Sequence, residues 1–68
     1  MDANRFAALR ARYRSHWDAH QVIADQNARL VAAGLQPSAE QMRNEKRAAD
    51  ALAVVRDELL AVIASGKT

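Results

Sequence analysis

In the stretch HWDAH, residues 16–20, two histidines stand one helical turn apart with an acid between them. Side chains at i and i+4 meet on one face of an α-helix, so His16 and His20 have the spacing of two zinc ligands. The rest of a zinc site is not in the pattern. In a zincin the acid follows the first histidine directly and serves as general base. Here that position is Trp17, and Asp18, one residue later, projects to the far side of the helix. A catalytic zinc also takes a third protein ligand. If the chain doubles back about its centre, His16 comes to Arg56 and His20 to Leu52, poor company for a metal. The pair is therefore read as structural, and no metal or other cofactor is expected.

Other catalytic chemistry has as little support. No serine, histidine and acid are placed for nucleophilic attack. Gly34 and Gly66, the two glycines, both fall at helix ends and cannot form a phosphate-cradling loop. The carboxylates Glu40, Glu45, Asp50, Asp57 and Glu58 alternate with Arg43, Lys46, Arg47 and Arg56 in the pattern of a solvated helix face. An enzyme is not expected.

RARYR, residues 10–14, mixes arginines with an aromatic, the ingredients of a nucleic-acid surface built on Arg10, Arg12 and Arg14. These arginines border an apolar stripe on both of its flanks, which also suits guanidinium groups whose stems cover the edges of a core. Nucleic acid is thus the competing partner class. A Phe/Tyr/Trp stripe flanked by arginines also describes an interfacial membrane helix. The second half of the chain offers a matching apolar face that would occupy the stripe instead.

The elements that carry these residues follow from composition. With 68 residues the chain forms one domain and buries only about 60% of its unfolded surface. Domains this small usually need disulfides, a metal or a partner chain, and there is no cysteine. Alanine, leucine, arginine, glutamate and glutamine dominate, and β-branched residues never alternate with polar ones, so the fold class is all-α. The longest apolar runs, ALAVV and LLAVIA, are far too short to span a bilayer, and MDANRFAALR has no signal-peptide core. A cytoplasmic location is expected. The net charge of +2 is too small to demand a polyanionic partner by itself.

One stop interrupts the helical pattern, in AAGLQPSAEQ. Gly34 can take the left-handed conformation that ends a helix, and Pro37 cannot continue one. Ser38 then caps a second helix, with Gln41 completing a capping box. The single domain, residues 1–68, thus reads as helix 3–33, turn 34–38 and helix 39–64, with a frayed end from Ser65 to Thr68. So short a connection makes the helices antiparallel.

At about 100° per residue, Phe6, Leu9, Tyr13, His16, Trp17, His20, Ile23, Asn27, Leu30 and Val31 share one stripe of the first helix. Leu52, Val55, Leu59, Val62 and Ile63 lead the apolar face of the second. That face spans roughly 180°, where one partner helix needs an arc nearer 100°. The expectation is a homodimer, two hairpins forming a four-helix bundle, with Phe6, Leu9, Tyr13, Trp17, His20, Ile23, Leu30, Leu52, Val55, Leu59, Val62 and Ile63 as its interface. Two polar layers, Asn27 with Glu45 and His16 with Arg56, would fix its register.

In outline, a hairpin with so apolar a second helix (ADALAVVRDELLAVIA) resembles the Rop-like RNA-binding dimers. It also resembles the small co-chaperones that hold type III secretion needle subunits. The likeness is of architecture and lends no residues. The function expected is that of a small non-enzymatic interaction module: an adaptor, regulator or chaperone-like homodimer. A co-chaperone-type subunit whose second helix binds a helix of another protein is a further alternative.

Overall fold

A computed structural model of the chain describes residues 3–66. Two α-helices, α1 (Ala3–Ala32, 30 residues) and α2 (Ala39–Ser65, 27 residues), make up these residues, with no strand among them. Each helix is roughly 40–45 Å long at 1.5 Å per residue. They lie side by side and antiparallel. Asn27 near the end of α1 bonds Glu45 near the start of α2, and Arg12 pairs with Glu58 at the opposite end. The hairpin measures 50 × 16 × 14 Å. Of the expected frayed end, Lys67 and Thr68 lie outside the described residues.

The connection is closed by hydrogen bonds that the sequence makes available. The Gly34 N–H donates to Val31 O at 3.0 Å and the Leu35 N–H to Leu30 O at 2.8 Å, the two bonds of a Schellman motif. Gly34 sits at φ 79, where a Cβ would be strained. Ala33 leaves the helix one residue sooner than the alanine run suggests. Its N–H is shared between Arg29 O and Leu30 O, the tightening that precedes a left-handed residue. Ser38 then accepts from the Gln41 N–H at 3.0 Å, and the Gln41 side chain accepts from the Ser38 N–H at 2.7 Å. Both halves of the capping box are made. α2 continues one residue past Ala64, because the Gly66 N–H still reaches Val62 O at 2.9 Å and Gly66 keeps a right-handed helical φ of −81.

The residues turned toward the neighbouring helix recur at alternating intervals of three and four. On α1 they are Phe6, Leu9, Tyr13, His16, His20, Ile23, Asn27 and Leu30, and on α2 Glu45, Ala48, Leu52, Val55, Leu59 and Val62, all buried or half-buried. A seven-residue repeat of this kind keeps the seam facing its partner only if the two helices coil gently around each other. Burial along the seam is thin. Only Leu9 (4% exposed) and Val55 (2%) are fully buried apolar residues, and Asn27 (6%) is the one buried polar residue among those described.

Two expectations change here. Leu9 and Val55, counted among the residues of an interface with a second chain, are consumed inside the hairpin. Arg56 does not join His16 in a polar layer. Its Nε and Nη2 both donate to Asp57 at 3.3 Å, and it remains exposed. The alternating steps from Leu52 land on Val55 and Leu59, which leaves Arg56 on the shoulder of the helix and puts a valine at the seam level of His16.

Candidate functional site

Beside the seam run two rows of side chains on each helix, spaced by seven, and they give the hairpin two unlike flanks. On one flank α1 presents Arg10, Trp17, Ala24 and Val31, and α2 presents Met42, Ala49, Arg56 and Ile63, with Leu60 adjoining. On the other, α1 presents Arg5, Arg12, Ala19 and Gln26, and α2 presents Asn44, Ala51, Glu58 and Ser65.

The first flank is apolar and open. Trp17 is 44% exposed, Ile63 48%, Leu60 54%, Met42 55% and Val31 63%. These side chains fall in two groups, Val31 and Met42 at the turn end and Trp17, Leu60 and Ile63 toward the open end, and half-exposed apolar surface of this kind marks an interaction surface. Two shallow hollows open along it. The one at the open end of the hairpin is lined by Ala7, Arg10, Tyr13, Trp17 and Leu59. The one at the turn end is lined by Ala24, Ala28, Val31, Pro37 and Met42, with Asn27 and Glu45 at its floor. The wheel reading merges this flank with the seam into a single wide face. Burial separates them, since Val31, Trp17 and Ile63 are exposed and stand outside the seam.

The second flank is polar. The Arg12 guanidinium lies 3.7 Å from the Glu58 carboxylate across the groove. The shallow hollow on this side is edged by Gln26, Gln41, Asn44 and Arg47 above Ile23. Nothing here needs a partner to leave water.

The three arginines of RARYR do not make one patch. Arg10 lies over the Phe6 ring, 5.8 Å from its centroid, on the apolar flank. Arg12 bridges to α2 on the polar flank. Arg14 pairs with Asp18 at 3.8 Å and lines the open-end hollow together with Arg10. The histidines stay apart from any acid cluster. His16 and His20 are half-buried in the seam, and the His20 Nδ1 atom is buried without a hydrogen-bond partner. Among the described residues no three His, Asp or Glu side chains gather where they could hold a metal ion. Polar order in the seam comes instead from Asn27. Its Nδ2 donates to Glu45 Oε1 at 2.8 Å and to the Gln41 carbonyl at 3.2 Å, which uses both amide hydrogens.

No described helix is long and apolar enough to cross a membrane. No protein-family model, no curated protein and no solved structure matches this chain.

Proposed function

We propose that this protein is a non-enzymatic interaction module, a helical hairpin that works by burying its apolar flank against helices of another chain, a second copy of itself in the first instance. The observation that carries this reading is the excess of exposed surface. The hairpin exposes 5193 Å², whereas a compact monomer of 7.5 kDa exposes about 4,250 Å². The difference, roughly 900 Å², is close to what one partner contributes to a standard protein interface, about 800 Å². Five of the eight large apolar residues exposed among those described stand on that one side.

Nucleic acid is the less favoured partner. A groove-tracking basic surface needs its cations on one side, and Arg12 stands on the flank opposite Arg10 and Arg14, while Phe6, Asp18 and Glu58 already engage the three.

Sedimentation equilibrium with parallel circular dichroism tests the proposal. A helical species of twice the 7.5 kDa chain mass is the expected result. A poorly helical monomer would move the reading to its co-chaperone form, in which the absent helices belong to a different protein. A stable, fully helical monomer at millimolar concentration would overturn it.

A further inference from the structure

The hollow at the open end of the hairpin brings cationic and aromatic side chains together. Ala7, Arg10, Arg14 and Trp17 follow one another along α1 at steps of three and four, so they share one row on its surface. Tyr13 and Leu59, half-buried toward the seam, line the hollow from below, and the small side chains of Ala7 and Ala11 leave room above them. The hollow measures about 750 Å³. Small-molecule sites run to ~300–1,000 Å³ and share this make-up, apolar and aromatic walls with a few polar groups. Its two guanidinium groups are not consumed by the fold. No described carboxylate pairs with Arg10, whose contact is the Phe6 ring. Arg14 has only Asp18, at 3.8 Å, too long for a hydrogen bond, and the two side chains are 80% and 68% exposed. Two cations against that one acid leave the rim with an excess of positive charge beside an exposed indole.

We infer that this hollow binds a small organic anion with a flat apolar body, the class of the aryl carboxylates and sulfonates. An open hollow suits a flat ligand, which can lie along Tyr13 and Leu59 and stack on the Trp17 indole. Its acid group then reaches the rim, where Arg10 and Arg14, one turn apart, donate charge-assisted hydrogen bonds to the oxygens. Arg10 contributes more, because it has no carboxylate to give up, whereas Arg14 must first leave Asp18. Asp18 itself opposes the anion. The same two arginines do not make a track for a nucleic-acid strand, whose backbone needs further cations along its path, and Arg12 stands on the opposite flank. Every lining residue belongs to one hairpin, so the inference goes beyond the interaction reading and does not depend on it.

Two fluorescent probes of like shape test it: anilinonaphthalene sulfonate, which carries an anion, and N-phenylnaphthylamine, which does not. The titrations are run at low salt, where exposed charges are least screened, and at the lowest protein concentration that keeps the chain helical. The sulfonate should bind more tightly than the neutral probe and quench the emission of Trp17, the only tryptophan. Arg10→Gln should weaken the sulfonate about fivefold, about 1 kcal/mol, and leave the neutral probe unmoved. Asp18→Asn should tighten the sulfonate alone. Both positions are exposed, so neither change disturbs the seam, and circular dichroism checks that helicity is kept. Equal affinity for the two probes, or a sulfonate affinity indifferent to both substitutions, would overturn the inference. A chain that sediments as a monomer and keeps the preference for the sulfonate would remove the second copy from the interaction reading and leave the site standing.

Discussion

The two ends of the hairpin are held by different physics. At the turn end the contacts are directional. Asn27 bonds Glu45 and the Gln41 carbonyl, Ser38 and Gln41 cap each other, and Leu30 and Val31 accept from the turn. At the open end they are not: Leu9 and Val55 are buried, and the cross-helix polar contact is one long ion pair between half-exposed groups. Hydrogen bonds of the first kind specify which residues lie opposite one another, but each nets only about 1 kcal/mol over the same groups in water. Burial of the second kind stabilises more and specifies less. The difference teaches that register in this protein is set near Asn27 and stability is gathered farther up the seam, where the apolar flank also widens.

The largest break in that comparison should come from Leu9→Ala. Removing a fully buried leucine usually costs about 2–5 kcal/mol, and a hairpin with two buried apolar side chains has little in reserve. At a fixed protein concentration the variant should be mostly unfolded at 25 °C by circular dichroism, while the same change at Leu60, 54% exposed, should leave the folded monomer within about 0.5 kcal/mol. Equal losses at the two positions would mean that the flank, and not the seam, supplies the stability.

The turn end was legible in the sequence because its chemistry is local. Gly34, Pro37, Ser38 and Gln41 act on neighbours within a few residues, and each requirement maps to a residue type with few substitutes. Asn27 opposite Glu45 was legible as well, since counting back from a short turn accumulates little error over so few residues. The open end was harder. By the level of His16 an error of one residue exchanges Val55 for Arg56, and the straight-helix wheel cannot correct it because the buried positions recur every 3.5 residues and not every 3.6. For the same reason the seam and the open flank overlapped in the sequence. Trp17, Val31 and Ile63 share a wheel sector with buried positions, and only their packing shows them half in water. The turn-end hollow beside Met42 and Pro37 had no sequence signal, because it is formed by alanines whose smallness matters only once the helices are paired.

Asn27→Ala should have the next largest effect. The change leaves the Glu45 carboxylate half-buried without its amide donor, a loss of about 1–3 kcal/mol for an unsatisfied polar group. Substituting both partners sharpens the point. Asn27→Leu with Glu45→Leu should recover the stability, or exceed it, because an apolar pair replaces a desolvated polar one. It should also blur the register, and nitroxide labels at the turn would then report more than one distance. A double variant as sharply defined as the parent would show that the turn bonds alone set the pairing.

The smallest effect belongs to Arg12→Ala. At 3.7 Å the pair with Glu58 is too long for a hydrogen bond, and its side chains are 55% and 42% exposed. Exposed pairs contribute between nothing and about 1 kcal/mol, and salt screens what there is. The variant should melt within about 4 °C of the parent, the shift that about 0.5 kcal/mol gives a domain this size. Its neutrality makes it a clean probe of the competing partner class. If the parent binds a single-stranded oligonucleotide steeply at low salt and Arg12→Ala does not, the lost contact is with the phosphates, since the fold is unchanged. If neither binds, the polar flank is a solvated surface, and the contrast between the two sides of the hairpin stands as one between a face that water can keep and a face that it cannot.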